Sequence, residues 1–116
     1  MKAKQAYAEW CLVFPHLPKP IRAGIGARIE NCFLDITEYI FIAWYAPLEK
    51  KILLVEKARE RLDVLKLFLT IAWENKGLSV GFYSSLVEKL CEVGRMSYRW
   101  RESLTEKLPQ SAGENK

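Results

Sequence analysis

Residues 21–46 read IRAGIGARIENCFLDITEYIFIAWYA, and apolar side chains recur through them at steps of three and four. Such steps place side chains on one face of an α-helix, because an α-helix has about 3.6 residues per turn. The apolar positions are Ile25, Ile29, Cys32, Phe33, Ile36, Ile40 and Ala43. The pattern predicts one long amphipathic helix that turns a single stripe toward a core.

Three interruptions divide the chain into helices. Residues 15–20, PHLPKP, hold three prolines, whose fixed φ and missing N–H exclude a helix through them. Pro47 suits the first turn of a new helix. Residues 75–79, NKGLS, join a glycine stop to a serine N-cap. The predicted helices therefore cover residues 3–14, 21–46, 48–75 and 80–107.

The later predicted helices repeat the single apolar stripe. The positions are Val55, Ala58, Leu62, Leu65, Leu69 and Ala72 in the third helix, and Phe82, Leu86, Leu90, Val93, Trp100 and Leu104 in the fourth. Short connections make successive helices antiparallel neighbours, so we predict an all-α, up-down antiparallel four-helix bundle over residues 1–108. The polar tail at residues 109–116 begins with a proline and is expected to be disordered.

Composition and cysteine usage favour a cytoplasmic globular protein. The 116 residues are 50% hydrophobic and 28% charged, which suits one domain with an ordinary core. Cys11, Cys32 and Cys91 are odd in number and lie in apolar patterns, so we expect reduced core thiols. The N-terminus lacks the apolar segment of a secretory signal, and no apolar run reaches the roughly 18 residues of a membrane span. We expect no membrane association.

Two of the predicted helices carry a second apolar face that one bundle does not bury. Its residues are Ala23, Ala27, Leu34, Phe41 and Tyr45 in the second helix, and Leu53, Val64, Leu67 and Ile71 in the third. Large contiguous apolar patches are uncommon on monomers. The second face indicates either an extra packed layer or, as we favour, an interface between copies of the chain.

Candidate catalytic chemistry is sparse. The one histidine, His16, lies between prolines without a carboxylate or cysteine at ligand spacing. Glu30, Asp35 and Glu38 share a helix, but the Glu-x-x-His motif of di-iron bundles is missing, and Glu30 and Glu38 are expected on the outer face. No phosphate loop follows a strand, and no cysteine has a base at helical spacing. We therefore expect no enzyme activity, metal or cofactor.

Arginines are the candidate functional residues. The net charge of +4 permits a polyanionic partner, and assembly would multiply it. In the stretch CEVGRMSYRW, at residues 91–100, Gly94 suits close helix packing and Trp100 suits the core. Arg95 and Arg99 either form i,i+4 pairs on a solvated acidic face or bind the partner. The sequence-based candidates for binding nucleic acid are Arg22, Arg28, Arg95, Arg99 and Arg101, of which Arg101 is expected to be less neutralised than Arg95 or Arg99.

Three segments, IRAGIGARIEN, ARERLDVLKLFLTIAW and LCEVGRMSYRW, resemble the accessory variability determinant (Avd) proteins of diversity-generating retroelements. The most specific marks are Arg22-x-x-x-Gly26-x-Arg28-Ile29-Glu30 and Glu92-Val93-Gly94-Arg95-Met96 followed by Trp100. The resemblance spans roughly residues 7–104 and extends to the four-helix proteins encoded in ribosomal RNA intervening sequences. The chain departs from the Avd pattern at residues 97–99, Ser-Tyr-Arg, where small residues commonly precede the tryptophan.

The resemblance implies a homopentameric, positively charged barrel that binds RNA and DNA with little sequence preference. It also implies association with a reverse transcriptase during mutagenic retrohoming, in which a template RNA is copied into mutated cDNA. The function expected from it is that of a non-catalytic accessory subunit. The alternative expectation is an assembly protein of the intervening-sequence type that binds protein partners only.

Overall fold

The computed structural model describes residues 2–108, and every regular element within them is helical. Helix α1 spans Lys2–Val13 and runs into a 3₁₀ turn at Phe14–His16. Helix α2 is Lys19–Ala23, α3 is Ile25–Tyr45, α4 is Leu48–Glu74 and α5 is Val80–Glu106. The prediction of an all-α fold is confirmed for this part of the chain. The predicted disordered tail at residues 109–116 lies outside the described residues.

The long helices pack side by side in a body of 55 × 25 × 20 Å. Helix α3 lies along α4, α4 lies along α5, and α1 contacts both α3 and α5. Most predicted stripe positions are buried, namely Ile29, Cys32, Phe33, Ile36, Ala43, Val55, Ala58, Leu62, Leu65, Leu69, Ala72, Leu86, Leu90, Val93 and Leu104. The 3.6-residue period therefore identified which face of each long helix forms the core.

The second predicted helix is wrong at its start, because two helices occupy that segment. Helix α2 begins at Lys19, with Pro20 in its first turn, and the chain leaves helical geometry at Gly24, where φ is −94° and ψ is −99°. Gly26 then lies buried, and a Cβ atom there would stand 3.0 Å from the Ile21 carbonyl oxygen. The two glycines allow α2 to bend back closely against the start of α3.

Helix α1 is attached to α3 through the carboxylate of Glu30. The Tyr7 hydroxyl and the Trp10 indole N–H each donate a 3.0 Å hydrogen bond to a different oxygen of this carboxylate. A hydrogen bond with Cys11, burial and the Glu30 carboxylate together raise the pKa of Tyr7 well above its ordinary value of 10.0. The expectation that Glu30 lies on the outer face is wrong, because α1 covers it.

The connection between α4 and α5 uses its residues differently from the sequence-based prediction. Ser79 caps α5 as predicted, since its hydroxyl accepts a hydrogen bond from the Phe82 N–H. The positive φ of 65° belongs to Lys76 and not to Gly77. Gly77 is needed for space, because a Cβ atom there would lie 2.9 Å from Ile21 of α2.

The three cysteines occupy different environments. Cys32 is buried on α3, Cys91 is half-buried on α5, and Cys11 is exposed on α1. Burial raises the pKa of Cys32, and the Arg61 guanidinium partly opposes that rise. The prediction of three core thiols is therefore right for Cys32 and wrong for Cys11.

Candidate functional site

A groove of about 500 Å³ runs along the surface between α4 and α5. Helix α4 contributes residues at i, i+3, i+4 and i+7, which form one face of the helix, and α5 contributes residues at the same kind of spacing. We call this feature the basic groove, and its lining consists of Arg59, Leu62, Asp63, Lys66, Cys91, Gly94, Arg95, Tyr98 and Arg99.

The antiparallel register of α4 and α5 assembles the groove. Arg59 lies near the middle of α4, and Tyr98 lies in the second half of α5. The guanidinium carbon of Arg59 lies 5.2 Å from the centroid of the Tyr98 ring. One turn further along α4, Leu62 faces Gly94, and the ammonium of Lys66 lies beyond it. Residues far apart in the sequence are thus brought together by the pairing of two helices.

Gly94 forms the floor of the groove. A Cβ atom at this position would lie 3.3 Å from Cδ2 of Leu62 and 3.9 Å from the Lys66 ammonium. The contact with Leu62 would be tight for a side-chain carbon, so the missing side chain lets α5 approach α4 closely. The expectation that Gly94 serves close helix packing is confirmed.

The groove carries more positive than negative charge, and its cations form no close ion pairs with the described carboxylates. Its four cations are Arg59, Lys66, Arg95 and Arg99, against the single acid Asp63. Between residues 2 and 108, no carboxylate oxygen lies within 4 Å of a charged nitrogen of these four side chains. The clustered cations repel one another, and an anion in the groove relieves that repulsion. Such an anion is also attracted by several cations at once.

Arg95 and Arg99 lack the helical pairs that their spacing allowed. Both side chains are exposed on α5, and Glu92, three residues before Arg95, lies 3.6 Å from Lys2 of α1. The carboxylate that could have neutralised Arg95 therefore faces the other neighbouring helix. Arg95 and Arg99 are therefore solvated as the first interpretation expects, but the helical ion pairs that it includes are not formed within the described residues.

The other three predicted arginines lie outside the basic groove. Arg101 pairs with Glu56 of α4 at 3.0 Å and with Glu102 at 3.7 Å, so the expectation that it is the less neutralised arginine is wrong. The Arg22 guanidinium donates a 3.0 Å hydrogen bond to the carbonyl of Pro15. Arg28 lies over the ring of Phe68 at 5.3 Å, between α3 and α4.

Sequence reasoning missed Arg59 and Lys66. Both are half-buried on α4, on either side of the core residue Leu62. Their seven-residue separation places them on one face of a helix, so the sequence could have predicted that these two cations lie on the same side of α4. That this face meets Arg95 and Arg99 depends on the register between α4 and α5, which a single sequence does not specify.

A second set of apolar side chains is exposed on α2, α3 and α4. Phe41 and Tyr45 are exposed by 58% and 79%, and their rings contact each other with centroids 5.4 Å apart. The other predicted interface residues divide by exposure: Ala23, Ala27, Leu34, Leu53 and Leu67 are exposed, while Val64 and Ile71 are half-buried. We call the exposed members the apolar surface.

Other classes of site find little support within residues 2–108. No group of three or more His, Cys, Asp or Glu side chains is arranged there to hold a metal ion. His16 is exposed at the end of the 3₁₀ turn. None of the helices in this range has the length and apolar character needed to cross a membrane.

Comparisons with protein-family models, with curated proteins and with solved structures find no match for this chain. The basic groove and the apolar surface are therefore the observations from which a function has to be argued.

Proposed function

We propose that this protein is a non-catalytic, cytoplasmic subunit that binds nucleic acid in the basic groove. The observation that carries the proposal is the cluster formed by Arg59, Lys66, Arg95 and Arg99, none of which forms an ion pair within 4 Å with a carboxylate of the described residues. Nucleic acid is the partner class that best fits such a cluster, since it presents closely spaced phosphates in a row.

The groove suits a repeating anion better than a small one. It is open along the surface between two helices, and its cations come from both walls. A strand that follows the groove releases counterions at each phosphate that an arginine or lysine contacts. Contacts of this kind carry no sequence information, so the proposal includes binding with little sequence preference.

The proposal also includes assembly. We infer an up-down four-helix bundle whose copies pack through the apolar surface into a ring, with a pentamer as the form that the resemblance to Avd proteins implies. Five copies of a chain with net charge +4 would carry 5 × 4 = +20, and a ring of grooves would present that charge to one polyanion. Exposed aromatic rings such as Phe41 and Tyr45 are typical of interface centres.

The specific biological role rests on the sequence resemblance. The motifs IRAGIGARIEN and LCEVGRMSYRW point to a subunit of a diversity-generating retroelement that supports a reverse transcriptase during mutagenic retrohoming. In that role the groove would hold template RNA or cDNA while the polymerase supplies the chemistry. The basic groove supports the nucleic-acid part of this role.

A second candidate function follows from the apolar surface. An assembly protein of the ribosomal RNA intervening-sequence type would use Phe41, Tyr45 and their neighbours to bind protein partners only. Both candidate functions use the apolar surface. They differ in the basic groove, which binds nucleic acid in the first function and has no ligand in the second.

The deciding experiment is a titration of labelled RNA at roughly 50 and 200 mM salt. Wild-type protein is expected to bind with an affinity that falls as salt rises. The double variant Arg95→Glu/Arg99→Glu is expected to bind about tenfold more weakly or worse, since two attractions become repulsions. Lys4→Glu/Lys107→Glu is the matched control, because it reverses two exposed cations that lie outside both the basic groove and the apolar surface.

The titration separates the two candidates. Undetectable binding by an intact wild-type oligomer would contradict the nucleic-acid function and leave the protein-partner function. Equal losses of RNA affinity in Lys4→Glu/Lys107→Glu and in Arg95→Glu/Arg99→Glu, which change the net charge by the same amount, would show that overall charge and not the groove determines binding.

A further inference from the structure

One uncharged side chain in the lining of the basic groove, that of Tyr98, is exposed. The ring of Tyr98 is 48% exposed in the midst of Arg59, Arg95 and Arg99. A single exposed aromatic residue is common on protein surfaces and needs no ligand. Tyr98 differs from an isolated surface ring because four cations without close ion pairs line the same groove.

The orientation of the ring is set from one side. The Arg59 guanidinium carbon lies 5.2 Å from the ring centroid, which is within the distance of a cation–π interaction. Arg59 is half-buried on α4 and so covers one face of the ring. Because Tyr98 is still 48% exposed, part of its surface remains open to solvent, and a planar ligand that stacked on the ring there would extend the guanidinium–tyrosine stack by one layer.

Phosphate-binding cations around an aromatic platform select single-stranded nucleic acid. In a duplex the base faces are covered by their neighbours, so a protein ring at the surface cannot stack on them. In a single strand the bases can turn outward and stack on a tyrosine while the backbone follows the cations. The groove volume of about 500 Å³ lies within the roughly 300–1,000 Å³ of sites that hold a small organic group.

We propose that Tyr98 is a stacking platform for an unpaired nucleobase, and that the groove consequently prefers single-stranded over double-stranded nucleic acid. Arg59 supports the far face of the ring, and Arg95, Arg99 and Lys66 contact the phosphates on either side of the stacked base. This inference rests on the proposed nucleic-acid function and specifies that the nucleic acid bound is single-stranded.

The test compares two probes under the same salt conditions, a single-stranded uridine oligonucleotide and a duplex RNA of the same length. Tyr98→Leu is expected to weaken single-strand binding by about fivefold to 150-fold, the range that stacking of one base represents. Its duplex affinity is expected to stay unchanged, since the phosphate contacts remain. Tyr98→Phe retains the aromatic face and is expected to bind both probes like the wild type.

A spectroscopic readout separates stacking from a structural role of Tyr98. A single-stranded probe with one 2-aminopurine is expected to lose fluorescence on binding to the wild type and to Tyr98→Phe, and to lose less on saturating Tyr98→Leu. The inference is overturned if Tyr98→Leu binds both probes as the wild type does, or if it weakens both by the same factor. If the wild type binds neither probe, the proposed nucleic-acid function itself fails.

Discussion

The indole N–H of Trp10 donates a 3.0 Å hydrogen bond to the carboxylate of Glu30, across the contact between α1 and α3. Trp10 is fully buried, so this N–H has no access to water as an alternative acceptor. Tyr7 occupies the second oxygen of the same carboxylate at 3.0 Å. One acidic side chain therefore satisfies two aromatic donors of the first helix and fixes where α1 lies on α3.

Removing the Glu30 carboxylate should destabilise the fold. We expect Glu30→Ala to lower the free energy of unfolding by about 2–3 kcal/mol, because a buried donor is left without an acceptor. Glu30→Gln retains one acceptor oxygen and should cost about 1 kcal/mol. Urea denaturation followed by tryptophan fluorescence measures both. Glu38→Ala, at an exposed position on the same helix, is the control and should be close to neutral.

Substitutions at Gly94 should distinguish two effects on stability, the gain in helix propensity and the steric cost of a side chain between α4 and α5. Gly94→Ala gains about 1 kcal/mol of helix propensity but requires Leu62 to move by a few tenths of an ångström, so we expect a net change within about 1 kcal/mol. Gly94→Leu overfills the contact between α4 and α5 and should cost about 1–3 kcal/mol. Denaturant unfolding measures the stability. RNA titration should show weaker binding for Gly94→Leu alone, because its side chain occupies the floor of the groove.

Periodic sequence features were sufficient to predict the core, because helical periodicity is local. The stripe from Ile29 to Ile36 on α3 and the stripe from Leu62 to Leu69 on α4 are buried as predicted. The break at Gly24 was missed because the residues around it also fit a continuous helix. It follows from the packing of Ile21 against Gly77, a contact between segments far apart in the chain.

The candidate site was predictable only in part. Arg95 and Arg99 could be selected from one helix, since four-residue spacing places them together. The partners of Arg101 and Glu30 could not be predicted in this way. Glu56 lies 45 residues from Arg101 along the chain, and Trp10 lies 20 residues from Glu30. Charge neutralisation in a helical protein depends on which faces meet, and that is decided by the packing of whole helices.

Stability should fall at high pH through Cys32. Its pKa is raised in the folded protein above its ordinary value of 9.0, first by burial, and the nearby Asp35 adds to the rise while Arg61 and Arg28 oppose it. Below pH 9.0 the thiol is protonated in both states, so its contribution to stability is fully present. Above pH 9.0 the unfolded chain releases the proton first, and stability declines by up to about 1.4 kcal/mol per pH unit.

Denaturant unfolding of wild type and Cys32→Ala across pH 7 to 10.5 measures this contribution. Cys32→Ala should be less stable at pH 7, because it loses buried volume, yet its stability should decline less steeply above about pH 9. Tyr7, whose pKa is also raised, contributes a decline of the same sign in both proteins. Parallel pH profiles for the two proteins would contradict the assignment to Cys32.

Charge placed on the apolar surface should separate assembly from folding. Phe41 is 58% exposed and touches Tyr45, so Phe41→Glu removes little core packing but puts a carboxylate within the proposed interface. We expect the oligomer to dissociate, since an unpaired charge buried in an interface costs several kcal/mol. Sedimentation velocity measures the assembly state, and circular dichroism should show unchanged helix content.

Leu12→Glu is the matched control for Phe41→Glu. Leu12 is an apolar residue of α1 that is 71% exposed and lies outside the apolar surface, so the same charge there should leave the oligomer intact. A wild-type monomer at micromolar concentration would contradict assembly altogether. Dissociation by both variants would mean that added charge, and not this surface, controls the association. A third outcome is that only Phe41→Glu dissociates the oligomer and that the resulting monomers bind RNA more weakly. This outcome would show that assembly strengthens RNA binding, because several grooves then attract one RNA together.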